Sequence, residues 1–522
     1  MHRSLRTTGR GPGCPLSRRS FLAAASAGAV GALAPRDLFP GGQKGEKLRL
    51  RIVYALHAVV QPGPDWPNVG FNFQPVMDRT TQALARGLPN VSFTSTMAKG
   101  PEEAEKILAA DAASPYDGYV VVQLNCWNRV VQTIAASGKP TLYVDFQYGG
   151  SGGFLVYTAA FLRQAATNVG FVASSRPEDL VAACKAFEQA KKAGPGSDFG
   201  ALVAAIRRAG TPGPRDIAAR PDGLEVLPAA DCLARMRESK ILAVGGAWPG
   251  IAPAIREGMG IEVVDVPFAE VNDAWAAADK DDARAIADRW HKTAARVEGV
   301  DMKTLITSAA MYLGQKAVLK KHGAEAITIN CLGGFYGGHI HAYPCLGFHE
   351  LLNQGLVGAC ECDVRSTATM VALTALTKGR PGYISDPVID TADRRVIYAH
   401  CVASNKAFGP GGPANPVEIL THSEDRQGAS VRSILPLGYM TSTCEFAPER
   451  KTILFHQGRA VANSPDDRAC RTKLAVEPAG DIEKLFREWD EWGWHRVTVY
   501  GDLRKPVREL ADALGWRVLE EA

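Results

Sequence analysis

The stretch Gly355–His400, GLVGACECDVRSTATMVALTALTKGRPGYISDPVIDTADRRVIYAH, decides how the rest of the chain is read. Gly355 to Cys360 is a short apolar run that suits a buried strand, and the acids Glu361 and Asp363 follow it directly. Ala368, Leu373 and Leu376 are among the apolar positions of a helical segment that Gly379 and Pro381 stop. Tyr383 and Ile384 open a second strand, with Asp386 expected at its end. A strand, helix, strand crossover makes parallel neighbours, so Glu361 and Asp386 should face one crevice at adjoining carboxyl ends. Two carboxylates placed so close repel each other unless a proton or a cation lies between them. A divalent metal held by carboxylate and imidazole answers that need, and His400, on the strand-like run Arg395 to Ala403, can join the shell. Each residue also has an ordinary structural reading: Glu361 paired with an arginine, Asp386 capping a turn before Pro387, His400 a satisfied core histidine.

The same segment resembles the L-fucose isomerase and L-arabinose isomerase superfamily, in which an E-x-D motif, a second acid one crossover later and a C-terminal histidine hold a catalytic metal ion. Glu361-Cys362-Asp363 matches the first, Asp386 in YISDP the second, and His495 in EWGWHRVTVYGD the last. His400, in YAHCVAS, matches the additional histidine of the arabinose isomerase branch. Similar blocks recur from about Leu50 to the C-terminus. The resemblance implies a fucose isomerase-like fold and a divalent metal, manganese, bound by Glu361, Asp386, His495 and His400. It implies that Glu361 and Asp386 also carry the proton between C1 and C2 of a free sugar through a cis-enediol, and that the protein is a homo-oligomer, a trimer or hexamer. The family's usual substrate-specificity residues find no match here. The alternative is an exported carbohydrate-binding protein that kept the fold and lost catalysis, but the carboxylate pair is retained. A metal-dependent hydrolase would want an H-E-x-x-H helix, and His339-Ile340-His341 in a glycine-rich turn is poor support.

The N-terminus reads as a twin-arginine export signal. Arg3, Arg6 and Arg10 precede Ser17-Arg18-Arg19-Ser20-Phe21-Leu22, an alanine-rich apolar run follows, and Ala32-Leu33-Ala34 is a cleavage motif, although Pro35 is an awkward neighbour for it. The expected location is therefore periplasmic or extracellular. The five arginines of residues 1–34 account for more than the formal excess of +4 and leave −1 without them, so the basic balance says nothing of nucleic acid. No other stretch is apolar enough to predict a further membrane span. Eleven cysteines, without a C-x-x-C pair, show no disulfide framework and suit thiols buried before export. Cys360, Cys362 and Cys401 flank the proposed ligands, so thiolate ligation stands as a second possibility.

At 522 residues, 46% of them hydrophobic, the chain has room for several cores. The signal (1–34) and a linker (35–47) precede an N-terminal α/β domain (48–160), a second α/β domain (161–379) and a β-rich C-terminal domain (380–522). Strands alternating with helices predict doubly wound parallel sheets of Rossmann or flavodoxin type in the first two. Consecutive β-rich runs after residue 392 predict an antiparallel sheet or small barrel in the third. Polar and aromatic residues after the first domain's strands, Asn125, Trp127 and Tyr148, are candidates for lining a sugar cleft, with Trp127 stacking on a ring. His339 is a further substrate-binding candidate. The glycine turn in KILAVGGAWPG lacks G-x-G-x-x-G and reads as structural.

Overall fold

The computed structural model describes residues 47–522. The export signal, its cleavage motif and nearly all of the linker lie outside the described residues.

The first sheet contains β1 (Leu48–Ala55), β2 (Val91–Ala98), β3 (Gly118–Gln123), β4 (Thr141–Asp145) and β5 (Val169–Val172), all parallel, in the order β2-β1-β3-β4-β5. Side chains alternate across a strand, and the burial follows that alternation. Ile52, Tyr54, Val120 and Val122 enter the core on one face. Val53, Ala55, Tyr119 and Val121 enter the other, which also contains Tyr398 and Leu474 from the C-terminal part of the chain. The expected boundary at residue 160 falls inside this unit: β5 completes the first sheet, and the helices Pro177–Ala193 and Phe199–Gly210 pack against it.

The second parallel sheet holds β6 (Lys240–Val244), β7 (Glu262–Val266), β9 (Ala326–Ile329) and β10 (Val357–Ala359), in the order β10-β9-β6-β7. The short β8 (Arg296–Glu298) pairs instead with β13 (Val417–Leu420), which pairs with β14 (Ser430–Ser433).

The C-terminal region is a barrel. Strands β11 (Tyr383–Asp390), β12 (Arg395–His400), β15 (Met440–Ala447), β16 (Thr452–Asn463), β17 (Thr472–Pro478) and β18 (Arg496–Tyr500) run in the order β15-β18-β11-β12-β17-β16, and pairing of β15 with β16 closes the ring. Closure removes the exposed sheet edges. The final strand β19 (Arg517–Glu520) adds to β16 in parallel.

This topology corrects the expected crossover. β10 and β11 are not neighbours: β10 edges the second parallel sheet and β11 belongs to the antiparallel barrel. The connecting helix Val364–Leu376 carries the chain from one sheet to the other and touches both. Every residue of it except Arg365 is buried, its serine and threonines included, so the helix has no solvent-facing stripe. Asp386 lies within β11 and not at its end.

Candidate metal centre at the junction of sheet and barrel

Leaving β10, the chain makes a turn in which Glu361 and Cys362 both adopt left-handed backbone conformations, φ 63° and 52°. Non-glycine residues enter that region at a cost, and two in succession mark a turn that the surroundings enforce. The Cys362 amide donates to the Ile329 carbonyl at the end of β9 (3.0 Å), fixing the turn to the parallel sheet. Asp363 then caps the buried helix: its Oδ1 accepts from the Ser366 amide (2.9 Å) and its Oδ2 from the Ser366 hydroxyl (3.0 Å).

His495 arrives from the other side, just before β18. Its main chain is fastened by Arg496, which is fully buried, donates to the carbonyls of Trp489, Gly493 and His495 at 2.9 to 3.1 Å, and pairs with Glu521 at 2.7 Å. Arg496 thus turns away from the site, to the opposite side from its neighbour His495. The His495 ring is held by Asp363, whose Oδ2 is 2.8 Å from Nδ1. That leaves Nε2, buried and without a hydrogen bond, 3.3 Å from Asp386 Oδ1 and 3.9 Å from Glu361 Oε2. His400, at the end of β12, brings its Nε2 to 3.9 Å from Glu361 Oε1, and the two imidazole rings lie 5.3 Å apart. One donor atom from each of Glu361, His400 and His495 falls within 4.8 Å of the others.

These separations suit a common ion. Donors about 2.1 Å from one metal stand roughly 3.0 to 3.4 Å apart at octahedral or tetrahedral angles, so the two histidine–Glu361 pairs, now 3.9 Å apart, would have to close by about 0.5 Å or more. A histidine that gives one nitrogen to a carboxylate and turns the other toward a donor cluster is the arrangement metal-binding histidines adopt. The charges agree. Burial opposes charge on both partners, yet the hydrogen bond with His495 and the Ser366 bonds pull Asp363 down to about 2. His495 is raised well above the ordinary histidine range, the bond to Asp363 and the carboxylates of Asp386 and Glu361 outweighing its burial. A cation is therefore favoured at this point, as a proton on His495 or as a metal ion among the donors.

The site opens into a cavity of about 700 Å³ whose lining includes Trp248, Glu361, Asp363, Arg365, Glu445, Trp494 and His495. Glu445, from β15, is buried behind Ser366, whose hydroxyl lies 3.1 to 3.2 Å from its carboxylate oxygens and 3.0 Å from Asp363. Burial and the charge of Asp363 hold Glu445 well above the usual carboxylate range. Arg365 spans from the Trp492 carbonyl (2.9 Å) to Glu449 (2.7 Å).

Three of the four expected ligands, Glu361, His400 and His495, form the donor cluster, and Asp386 stands beside it, 3.3 Å from His495 Nε2. Its carboxylate accepts from the Trp494 indole N–H. The expected substrate residues do not meet in the same way. Trp127 packs edge-on against Trp494 (6.1 Å between centroids) and Tyr157, behind the cavity wall. Asn125 is fully buried, its side chain hydrogen-bonded to Gln61, the Trp66 carbonyl and the His57 amide. Tyr148 lies under Arg468 and Lys473. His339 stacks on Phe268 at 5.8 Å, in the turn between Tyr336 and Cys345. None of these four lines the cavity. The thiols are set back as well: Cys401 contacts Cys470 (3.3 Å), and Cys360 and Cys362 are buried, their thiols raised by burial and, for Cys360, also by a bond with Cys331. Sequence reasoning missed Glu445 and Trp248, and it gave Asp363 no task of its own beyond the E-x-D motif, whereas its carboxylate holds His495 Nδ1.

Parallel sheets, a closed antiparallel barrel and a carboxylate and imidazole cluster at their junction define an α/β protein with a candidate metal centre. No family model matches the chain. In part of its length it is similar to sulfoquinovose isomerases: 26% identical over 204 residues to that of Priestia megaterium, covering 38% of this chain and 45% of the relative. The enzyme of Alkalicoccus urumqiensis is 23% identical over 224 residues, 42% of this chain and 49% of the relative. The chain spans about half the length of the curated relatives it matches. Among solved structures, a sugar ABC transporter from Yersinia enterocolitica is 9% identical, with coverage of 55% and 66% and a TM-score of 0.16. A carbohydrate transporter from Acidothermus cellulolyticus in complex with myo-inositol is 12% identical, with coverage of 56% and 79% and the same TM-score, a similarity too low to assign the fold.

Proposed function

We propose that this chain is a metal-dependent aldose–ketose isomerase acting on a free sugar, with Glu361, His400, His495 and Asp386 holding the ion. The observation that carries this reading is His495, fixed at Nδ1 by Asp363 and presenting Nε2 to the carboxylates of Asp386 and Glu361. The partial similarity to sulfoquinovose isomerases supports the reaction class. Two imidazoles with carboxylates suit manganese, zinc or iron, and manganese is the ion we propose.

A bound divalent ion supplies Lewis acidity toward the sugar's C1 and C2 oxygens. The chain's own groups do the rest. Glu361, held in a left-handed turn at the cavity wall, takes the proton from C2 of the aldose while the carbonyl oxygen at C1 gains one. This gives the cis-enediol. Loss of the proton on the C2 oxygen and return of a proton to C1 complete the ketose, with Asp386 serving the second transfer. The Trp494 N–H holds Asp386 in place. Asp363 keeps His495 in the tautomer whose Nε2 lone pair faces the site.

The twin-arginine signal supports export to the periplasm or beyond, and the family resemblance supports a homo-oligomer, trimer or hexamer, with no nucleic-acid partner. The N-terminal sequence of the secreted protein and its mass in solution test these two points.

The test of function is elemental mass spectrometry on the purified protein beside Glu361→Gln and Asp386→Asn variants, followed by a manganese-supplemented screen of aldoses and ketoses. Near-stoichiometric metal that falls in both variants, together with turnover of at least one sugar, is the expected result. A parent that takes up no metal on reconstitution overturns the isomerase and leaves a carbohydrate-binding protein.

A further inference from the structure

The turn after β6, Gly245-Gly246-Ala247-Trp248-Pro249-Gly250, was expected to be structural, yet it brings Trp248 to the same cavity as Glu361 and His495. Trp248 is 79% exposed, the most exposed of the large hydrophobic side chains among the described residues. Leaving an indole in water forgoes a large burial free energy, and here the backbone holds it there. Gly245, Gly246 and Gly250 all have positive φ, 84° to 93°. At Gly245 a side chain would also run into the Phe268 ring, so the root of the turn is fixed by packing. Pro249 stiffens the far side and the helix Ile251–Met259 begins at once. The flat apolar face therefore stands on a braced turn, while the carboxylates and His495 form another part of the same wall.

This division matches a cyclic sugar, which has an apolar C–H face and a hydroxyl edge. We infer that Trp248 is the stacking residue for the ring form of the substrate, so that the sugar is captured as a pyranose before its ring opens. The inference rests on the sugar reading of the site but not on turnover. An open-chain polyol has no flat C–H face and gains little from the indole.

The experiment compares methyl pyranosides (glucoside, galactoside, fucoside and xyloside), which are locked as rings and cannot isomerise, with the corresponding alditols. Dissociation constants are measured by calorimetry and indole fluorescence on the metal-loaded parent, Trp248→Ala and Trp248→Phe. The exposed position leaves the variants folded, which circular dichroism checks. We expect at least one pyranoside to bind the parent and quench a fluorescence component missing from both variants. Trp248→Ala should weaken that binding about tenfold, from the apolar area no longer covered, Trp248→Phe should weaken it less, and alditol binding should change less than about twofold. For any aldose that turns over, KM rises in Trp248→Ala and kcat holds. Unchanged pyranoside binding in Trp248→Ala, equal weakening of ring and open-chain ligands, or no pyranoside binding by the parent overturns the inference. Pyranoside binding through Trp248 in a protein that isomerises no sugar sinks the isomerase reading alone.

Discussion

Replacing Asp363 by asparagine separates two tasks that one carboxylate performs. As the cap of Val364–Leu376 it accepts from the Ser366 amide at 2.9 Å, and asparagine caps helices as well as aspartate does. As the partner of His495 it accepts from Nδ1 at 2.8 Å, and there the amide fails. With its oxygen kept on the Ser366 amide, the substituted side chain turns an N–H₂ toward Nδ1. The imidazole must then carry its proton on Nε2, the atom that faces Asp386 and Glu361, and that nitrogen is lost as a donor. Removing the carboxylate behind a metal-bound histidine lowers metal affinity about 10- to 100-fold, equivalent to roughly 1.4 to 2.8 kcal/mol. Folding stability should fall as well, because the buried Asp363–His495 pair that lowers Asp363 to about 2 is lost although the cap survives. Asp363→Ala, which loses the cap as well, should cost about 1 kcal/mol more in stability than Asp363→Asn. Titration of apo protein with manganese against a competing chelator dye gives the affinities, and urea unfolding gives the stabilities. An Asp363→Asn protein that binds manganese as tightly as the parent refutes the argument, since His495 would then need no fixed tautomer.

Three further outcomes follow from other parts of the molecule. Stripping divalent metal with a chelator should lower the thermal midpoint reversibly, readdition of manganese at a hundredfold excess over Kd restoring about 2.7 kcal/mol, and a midpoint indifferent to both would speak against a site in the folded state. Asp145 is raised to about 8 by burial, with the Asp390 charge adding and the Ser151 hydroxyl opposing. Unfolded, it ionises near 4, so the native state binds the extra proton and stability due to this group falls as pH rises from about 4 to 8. Asp145→Asn should remove that slope in thermal melts between pH 5 and 9, and a slope that persists would show the group is not its source. Arg496→Met leaves buried Glu521 with only His456 to pair with and frees the carbonyls of Trp489, Gly493 and His495, which should destabilise the fold by about 3 kcal/mol in urea titrations. A loss below about 1 kcal/mol would show that the loop before β18 does not depend on it.

Local chemistry was legible where the chain's pattern is regular. The runs DGYVVVQLN (117–125) and AITINC (326–331) read as strands from their apolar residues, and buried strands occupy Gly118–Gln123 and Ala326–Ile329. β2, VSFTSTMA, went unread because its serines and threonines interrupt the apolar pattern, although pairing with β1 along its whole length fixes it. The crossover after Glu361 was read as strand, helix and strand in one sheet, and local sequence does not distinguish that from a helix leaving one sheet for another. What settles it is long-range: β11 pairs with β12 and with β18, which lies more than a hundred residues later. Glu445 was illegible for the same reason. Nothing near Glu445 announces that it lies against Ser366, 79 residues away. The aromatic and polar residues after β3 and β4 looked like a cleft because strand ends usually form one, but Trp127 serves as backing for Trp494 and Asn125 as a tie between loops.

The change of sheet also explains why the donors sit where they do. Had β10 and β11 been parallel neighbours, Glu361 and Asp386 would have shared one strand-end crevice. Because the helix Val364–Leu376 crosses to the barrel, Glu361 stays with the parallel sheet, while β11 and β12 carry Asp386 and His400 on the barrel and His495 enters beside β18. The cluster is then assembled only when the two units pack. Its like-charged members gain from that packing only through a cation, whether the proton on His495 or a metal, so metal binding and the sheet–barrel contact should strengthen each other. Asp363 is the hinge of that coupling, since it caps the helix that leaves the parallel sheet and holds the histidine that belongs to the barrel.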